Sequence, residues 1–536
     1  MICLRFGRGT DWEPSPEDPK VTEARNELLA LLERVGAAIP GDRWVLGQRI
    51  RYLGDGGRWD EARALARECD VASPWWCSAL WGYVLHRSGR GEESLMAFRR
   101  ALAAMEPGEA AGWWDPRVLL DFPEARWLDE AGELDRQEAR SRFWRLANPL
   151  FLIPGNSRFT EHLARVFASS EIYHGSVVTL GLAWGGAMEE VFLRYGFAAG
   201  WERTRPGMGE LAGGSVVEHQ HPESRSHLPP LEALDDPAGL VEGVWVPRDE
   251  RPRAASAPVL APLLVEGKGQ TAALRREGEL LVVARYAPPA EDTLLTEMRP
   301  LRRSGRGPGT TDGEGPLRPP WEPAVDGEGR DTLAGLFLLP VAGNGEPLGE
   351  TRRGGEGLLF LRAPPGGYLV SLELWSPSGR WGARLRHGIR REAVPPDVPT
   401  LSDLLLLGPA ESPPRDLEEA IPRMLPGTVL ERGEPVTVAW EVYGLGGRRE
   451  PLAFTLSVRD EEASLIRRAF ERIGLFRRTP PLSLSWTEAG ADALGPLFRA
   501  VDVTLPAVDP GPYVLRLEME MPGRTAVVWG RRITIR

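Results

Sequence analysis

From Val21 to Ile39, in VTEARNELLALLERVGAAI, apolar residues recur at three- and four-residue spacing, which predicts an amphipathic helix. The same period continues to about residue 108. It returns from about Asp135 in DRQEARSRFWRLA, after a stretch around Trp113, Trp114 and Trp127 that reads as an irregular connector. Asn156 is placed to cap a further helix, SRFTEHLARVFASSE, just after the break PLFLIPGN. Beyond about residue 255 the period shortens to two. Runs such as GELLVVARYA, GYLVSLELW, EPVTVAWEVYG and RRITIR are separated by Gly and Pro, so strands replace helices. Two hairpins in this half match one another, aligning Tyr368 with Tyr513, Leu372 with Leu517 and Glu373 with Glu518. Each is expected to close one β-sandwich.

These periods predict a multidomain α+β protein. An α-helical repeat region covers 1–130, an α-rich middle domain 131–249, and two C-terminal β-sandwiches 250–395 and 396–536. A Gly/Pro-rich polar insertion at about 302–330 interrupts the first sandwich. The uncharged run Gly175–Met188 is 14 residues long. That is short of the roughly 18–20 a membrane span needs, so it reads as folded core.

Two segments of the helical region repeat at an offset of 32 residues, aligned on Gly57-Arg58 and Gly89-Arg90. The second, with Gly82 at a close helix contact, Ser94 at a small position, then Phe98, Ala101 and Pro107, resembles the tetratricopeptide repeat pattern. Two units are fewer than the three such stacks usually need, so the preceding helix is expected to cap them. The stretch FWRLANPLFLIPGNSRFTEHLAR supplies Phe143, Trp144, Arg145, Pro149, Asn156, Glu161 and Arg165. AWGGAMEEVFLRYG then supplies Trp184, Tyr195 and Gly196. In these residues the chain resembles the GWxTD domain family, with Asn148 in place of an Asp and Ala183, Gly186 and Ala187 in place of the motif's Gly, Thr and Asp. The resemblance implies a bacterial, often exported protein, and implies no reaction.

Composition narrows the function classes. The chain has 65 basic and 76 acidic residues, a net charge of −11, with acids and bases interleaved. That pattern disfavours a nucleic-acid surface, which needs clustered positive charge. There is no apolar leader at MICLRFGRGTDWEP, yet the chain opens on an apolar stretch, and a start further upstream with a signal sequence would reconcile this with export. Of three cysteines, Cys69 and Cys77 flank DVASPWW and are either a bridge in an oxidising compartment or two buried thiols.

Candidate chemistry is sparse. In VVEHQHPESRSH, His219 and His221 are two apart, which on a strand places both rings on one face. His227 follows, with Glu218 and Glu223 near, a donor set suited to zinc without a standard ligand spacing. Glu161 and Arg165 form an i,i+4 helix pair beside His162. Glu189 and Glu190 diverge by about 100° on a helix and so do not make an acid–base pair. The glycine runs lack a G-K-[ST] phosphate loop, and no G-x-S-x-G occurs. Trp75, Trp76, Trp113 and Trp114 either pack between helices or anchor a bound peptide. Trp375, Trp381, Trp440 and Trp529 either pack the sandwiches or form a sugar platform.

The expectation drawn from these readings is a non-catalytic interaction or scaffold protein of a bacterial envelope, meeting a protein partner through its helical repeats. It would have no transmembrane segment and no nucleic-acid partner. The alternatives are a zinc hydrolase using His219, His221 and His227, and a carbohydrate-binding protein.

Overall fold

The computed structural model describes residues 2–5, 17–132, 135–174, 185–203, 216–221, 223–247, 254–289, 331–343, 345–446, 450–460, 482–490, 495–505 and 508–536. The insertion at 302–330, Trp184 and most of the uncharged run lie outside the described residues. The protein is a multidomain α+β chain, with helices in its first half and sheets in its second. Among the described residues no helix is long and apolar enough to cross a membrane.

The helical half runs α1 (Pro19–Ala38), α2 (Arg43–Asp55), α3 (Trp59–Arg67), α4 (Pro74–Arg87), α5 (Gly91–Ala103), α6 (Pro107–Trp113), α7 (Phe122–Glu130), α8 (Arg136–Ala147), α9 (Ser157–Phe167), α10 (Gly186–Tyr195) and α11 (Leu231–Asp235). The repeat seen in the sequence is real in its turns. Gly57 and Gly89 both take positive φ, 71° and 74°, and the next backbone N–H returns to Leu53 and Leu85 respectively, at 2.9 Å in each case. Glycine suits that left-handed turn because it carries no Cβ. Arg58 then pairs with Glu61, and Arg90 with Glu93. Gly82 lies against the Phe98 ring, and Ser94 Oγ donates to the Gly82 carbonyl at 2.8 Å.

Two expectations need correcting here, and one open alternative is decided. The connector around Trp113–Trp127 is helical, because Pro107 and Pro123 sit in first turns, where a missing N–H costs nothing, and start α6 and α7. The chain's first strand does not belong to the helical unit. β1 (Ile2–Arg5) joins β2 (Gly200–Arg203) and β3 (Val216–His219) in a three-stranded sheet, parallel to β3. Cys69 and Cys77 are a disulfide, with Cα atoms 5.8 Å apart, tying the end of α3 to the start of α4. Closing so short a loop stabilises by about 2–3 kcal/mol. Reductant is therefore expected to lower the melting temperature of the wild type, and Cys69→Ala to abolish that response.

α4, apolar on all sides, is the hub of the helical half and packs on α3, α5 and α9. A single apolar core extends from Leu29 in α1 through Trp76, Phe98, Trp144 and Phe167 to Phe192, Leu240 and Trp245, and on to Leu339 and Leu369 in the strands.

The first sandwich comprises β4 (Leu263–Glu266), β5 (Lys268–Arg276), β6 (Glu279–Ala287), β7 (Leu333–Pro340), β8 (Leu348–Arg353), β9 (Gly357–Ala363), β10 (Gly366–Ser376) and β11 (Trp381–Arg391). The second comprises β12 (Thr400–Leu401), β13 (Leu405–Leu407), β14 (Val429–Leu430), β15 (Pro435–Tyr443), β16 (Pro451–Asp460), β17 (Leu482–Ala489), β18 (Leu497–Thr504), β19 (Gly511–Glu520) and β20 (Val527–Ile535). Their larger sheets follow one plan, β4-β11-β10-β7-β8 and β14-β20-β19-β16-β17, each with a parallel pair at one edge. The hairpin matched in the sequence is β10–β11 in one and β19–β20 in the other. Its aligned tyrosines do the same work. Tyr368 donates to the Pro364 carbonyl at 2.9 Å and Tyr513 to the Asp509 carbonyl at 2.8 Å, the tyrosine corner of immunoglobulin-type sandwiches. The smaller sheets, β5-β6-β9 and the one built on β15, face each other through Ala272, Leu274, Val283, Leu405, Leu407 and Ala439, so the two sandwiches share a core.

Candidate functional site: the buried polar layer around helix α9

α9, SRFTEHLARVF, is buried almost end to end. Phe159, Leu163 and Phe167 recur every fourth residue and make one apolar stripe. Phe159 meets Trp114 at 4.7 Å and Trp144 at 4.9 Å, and Phe167 meets Trp76 at 5.7 Å and Trp113 at 6.4 Å between ring centroids. The tryptophans read as a possible peptide groove thus hold a helix of the same chain. Asn156 caps α9 as expected: its Oδ1 accepts from Phe159 N at 3.0 Å while its Nδ2 donates to the Trp144 carbonyl at 2.6 Å.

The polar residues of α9 are buried too. Arg165 pairs with Glu161 and donates to the carbonyls of Leu193 and Arg194, both at 3.0 Å, satisfying the end of α10. Burial opposes ionisation of Glu161, but Arg165 and Arg158 prevail and hold its carboxyl below the usual range. His162 donates from Nε2 to the Trp113 carbonyl at 3.1 Å, and His86 Nδ1 shares a hydrogen bond with Thr160 Oγ1 at 3.0 Å. Burial lowers both imidazoles, to about 3 for His162, helped by Arg158, and to about 4 for His86.

Of the residues on which the resemblance to the GWxTD pattern rests, those described are held by packing and hydrogen bonds. Phe143 and Trp144 are core, Arg145 donates to the Gly343 carbonyl at 3.0 Å, and Tyr195 closes α10. Gly196 follows with φ 86°, and a Cβ there would lie 2.6 Å from Arg165 Nη2. Arg165 is anchored on three elements and cannot swing aside cheaply. Gly196→Ala is expected to cost ~2–4 kcal/mol by denaturant unfolding, combining the left-handed strain with displaced hydrogen bonds. Gly57→Ala, with nothing within 4 Å, should cost only the strain, ~1–2 kcal/mol.

The proposed zinc set does not converge. β3 ends at His219, so the two-residue alternation that would align His221 with it stops there. His219 is buried, His221 accepts at Nδ1 from Glu223 N at 3.1 Å, and His227 is buried with its carbonyl receiving Arg384 at 2.9 Å. Among the described residues no three His, Cys, Asp or Glu gather to hold a metal ion. Burial lowers His221 to about 4 and raises Glu218 to about 7, the latter tempered by a 2.8 Å hydrogen bond from Gln220.

Sequence reading missed the residues that join the halves. Arg384 and Arg386 are both on β11 and both 1 % exposed. Arg386 donates to the carbonyls of Leu146 at 2.9 Å and Asn148 at 2.7 Å, and Arg384 to Pro149 at 3.0 Å. These are the orphan carbonyls at and just beyond the end of α8. Glu373 lies 3.5 Å from Arg386 and accepts from Leu152 N at 3.0 Å. Trp245 stacks on both guanidiniums, at 5.1 and 4.7 Å. The only sequence signal was an arginine alternation inside an apolar hairpin.

Among the described residues, cavities open beside the sandwich strands. One, of 420 Å³, is lined by Arg275, Tyr443 and the 391–396 linker. A second, of 310 Å³, is lined by His387, Asp403, Trp529 and Arg531. The polar groups of the second are committed. Asp403 takes hydrogen bonds from Ala273 N at 2.7 Å and Trp529 Nε1 at 2.9 Å and pairs with Arg391, which stacks on Trp529 at 3.6 Å. Trp440 is fully buried and Trp375 donates to the Leu260 carbonyl at 3.1 Å, so the strand tryptophans are used in packing.

No protein-family model matches the chain, and no curated protein matches it. Solved structures that overlap it in part include the FN1–FN3 domains of chicken CNTN1, at 12% identity and TM-score 0.16, covering 50% of this chain and 66% of that one. Red sea bream transglutaminase overlaps at 10% identity and TM-score 0.14, over 50% of this chain and 31% of that one. Dimeric latent PorU from Porphyromonas gingivalis overlaps at 11% identity and TM-score 0.18, over 60% and 22%. The chain thus spans less than two thirds of each, and likenesses this slight carry no argument about fold or activity.

Proposed function

We propose that the protein is a non-catalytic scaffold of a bacterial envelope, in which tandem sandwiches are held at a fixed orientation to a helical body. The observation that carries this reading is the use made of the buried charged groups. Glu161, Arg165, Arg384, Arg386 and Glu373 tie one segment to another. The Cys69–Cys77 disulfide supports an oxidising, exported setting. Since α9 fills the inner face of the helical hairpins, a protein partner meets the repeats at their open end. There Val21, Leu31, Ile39 and Trp44 are exposed.

The reading is tested by compartment, contact and chemistry together. Cell fractionation is expected to recover the chain outside the cytoplasm with Cys69 and Cys77 protected from alkylation until reduced. A photo-crosslinker at position 44 is expected to trap one envelope protein that a crosslinker at Glu411 does not. Free thiols in the cytosol, or turnover in a hydrolase screen that a single polar substitution abolishes, would sink it.

A further inference from the structure

One buried arginine differs from its neighbours. Arg165, Arg384 and Arg386 each spend their terminal nitrogens on carbonyls or a carboxylate. Among the described residues, Arg158, in the first turn of α9 and 1 % exposed, finds no hydrogen-bond partner for either Nη1 or Nη2. His227 is 2 % exposed, and neither of its ring nitrogens has a partner among the described residues. The two belong to one layer. Arg384 binds the His227 carbonyl with one nitrogen and the Pro149 carbonyl with another, on the connection that leads from α8 into Arg158. His162, one turn beyond Arg158, keeps an unpartnered Nδ1.

Within α9, β10 and β11 the buried guanidiniums of Arg158, Arg165, Arg384 and Arg386 outnumber the buried carboxylates of Glu161 and Glu373, while the segment of His227 adds Arg225, Glu218 and Glu223. A buried charge without a counter-charge is strongly disfavoured, as is a buried donor without an acceptor. One ligand class answers both. Two adjacent N–H groups of a planar guanidinium match two oxygens of a carboxylate or phosphate. We infer that this layer binds a small oxyanion, held bidentate by Arg158 Nη1 and Nη2, with a ring N–H of His227 as a further donor.

The test uses the full-length protein refolded from denaturant in inorganic phosphate, in acetate or in chloride at matched ionic strength, followed by thermal unfolding. A saturable rise in melting temperature with phosphate or with acetate, by roughly 3 °C or more over chloride at saturation, is expected. Which of the two acts tells a tetrahedral oxyanion from a carboxylate. Arg158→Met is expected to lose the response. Arg158→Lys, which keeps the charge and loses the fork, should need about tenfold more anion. Equal behaviour in all three salts overturns the site, because only ionic strength is then at work. So does an oxyanion response that survives in Arg158→Met. If Arg158→Met does not fold, the wild type and Arg158→Lys decide by the same criteria.

Discussion

Arg386→Ala is expected to destabilise the protein by ~3–5 kcal/mol, the cost of breaking a buried ion pair from one side. Glu373, with no exposed surface, would be left without its cation, and the carbonyls of Leu146 and Asn148 would lose their donor. The damage falls on the seam between the helical body and the first sandwich, so the two should also unfold less cooperatively. Urea unfolding followed by far-ultraviolet dichroism, which reports the helices, and by tryptophan fluorescence should give separated midpoints in the variant and one in the wild type. Removing both partners, in Arg386→Met with Glu373→Leu, should recover much of the loss, since an apolar pair of similar volume replaces a costly buried one. A single-variant loss under 1 kcal/mol would mean that the seam is held by packing alone.

Acid is expected to unfold the protein well above the usual carboxylate range. His86 and His162 are held neutral by burial, with folded values of about 4 and about 3 against an ordinary 6.5. Their folded values are depressed, so the unfolded chain binds more protons below 6.5. The stability these two contribute is complete above that pH and is lost as pH falls toward their folded values. Each excluded proton steepens the loss by ~1.4 kcal/mol per pH unit, so two histidines remove about 4 kcal/mol between pH 6.5 and 5. Denaturant midpoints at pH 7.5, 6 and 5 check this. His86→Gln and His162→Gln together should make the profile shallower but not flat, since burial also holds His221 and His227 below the ordinary imidazole range. A flat wild-type profile would show that the rings are hydrated in solution.

The elements were legible wherever one local rule decided them. Asn156 capped α9, and Gly57 and Gly89 marked the same turn twice because both rules act within a few residues. The matched hairpins found their sandwiches because alternation and a corner tyrosine are local as well. Pro107 misled, since a proline that ends one helix and a proline that begins another look alike without the following turn. His219 and His221 misled because alternation holds only while the strand lasts. The burial of Arg384 and Arg386 could not be read from their alternation alone. In register, Arg384 of the first hairpin stands opposite Glu373, and Val528 of the second stands opposite Glu518. Arg384 is 1 % exposed and Val528 41 %. What separates them is the α8–α9 connection, more than 200 residues away in sequence, that covers only the first hairpin.

The parallel edge pairs have a mechanical consequence. β4 lies parallel to β11 through Leu263–Glu266, and β14 to β20 through Val429–Leu430. In the first sandwich these are the strands by which the chain enters and leaves, whereas the second is entered by β12, before β14. Tension applied along the chain therefore pulls β4 and β11 past each other, and their hydrogen bonds bear the load together. An antiparallel pair pulled at one end opens one bond at a time. The β4–β11 clasp thus lies in the path of any force passing between the helical body and the second sandwich.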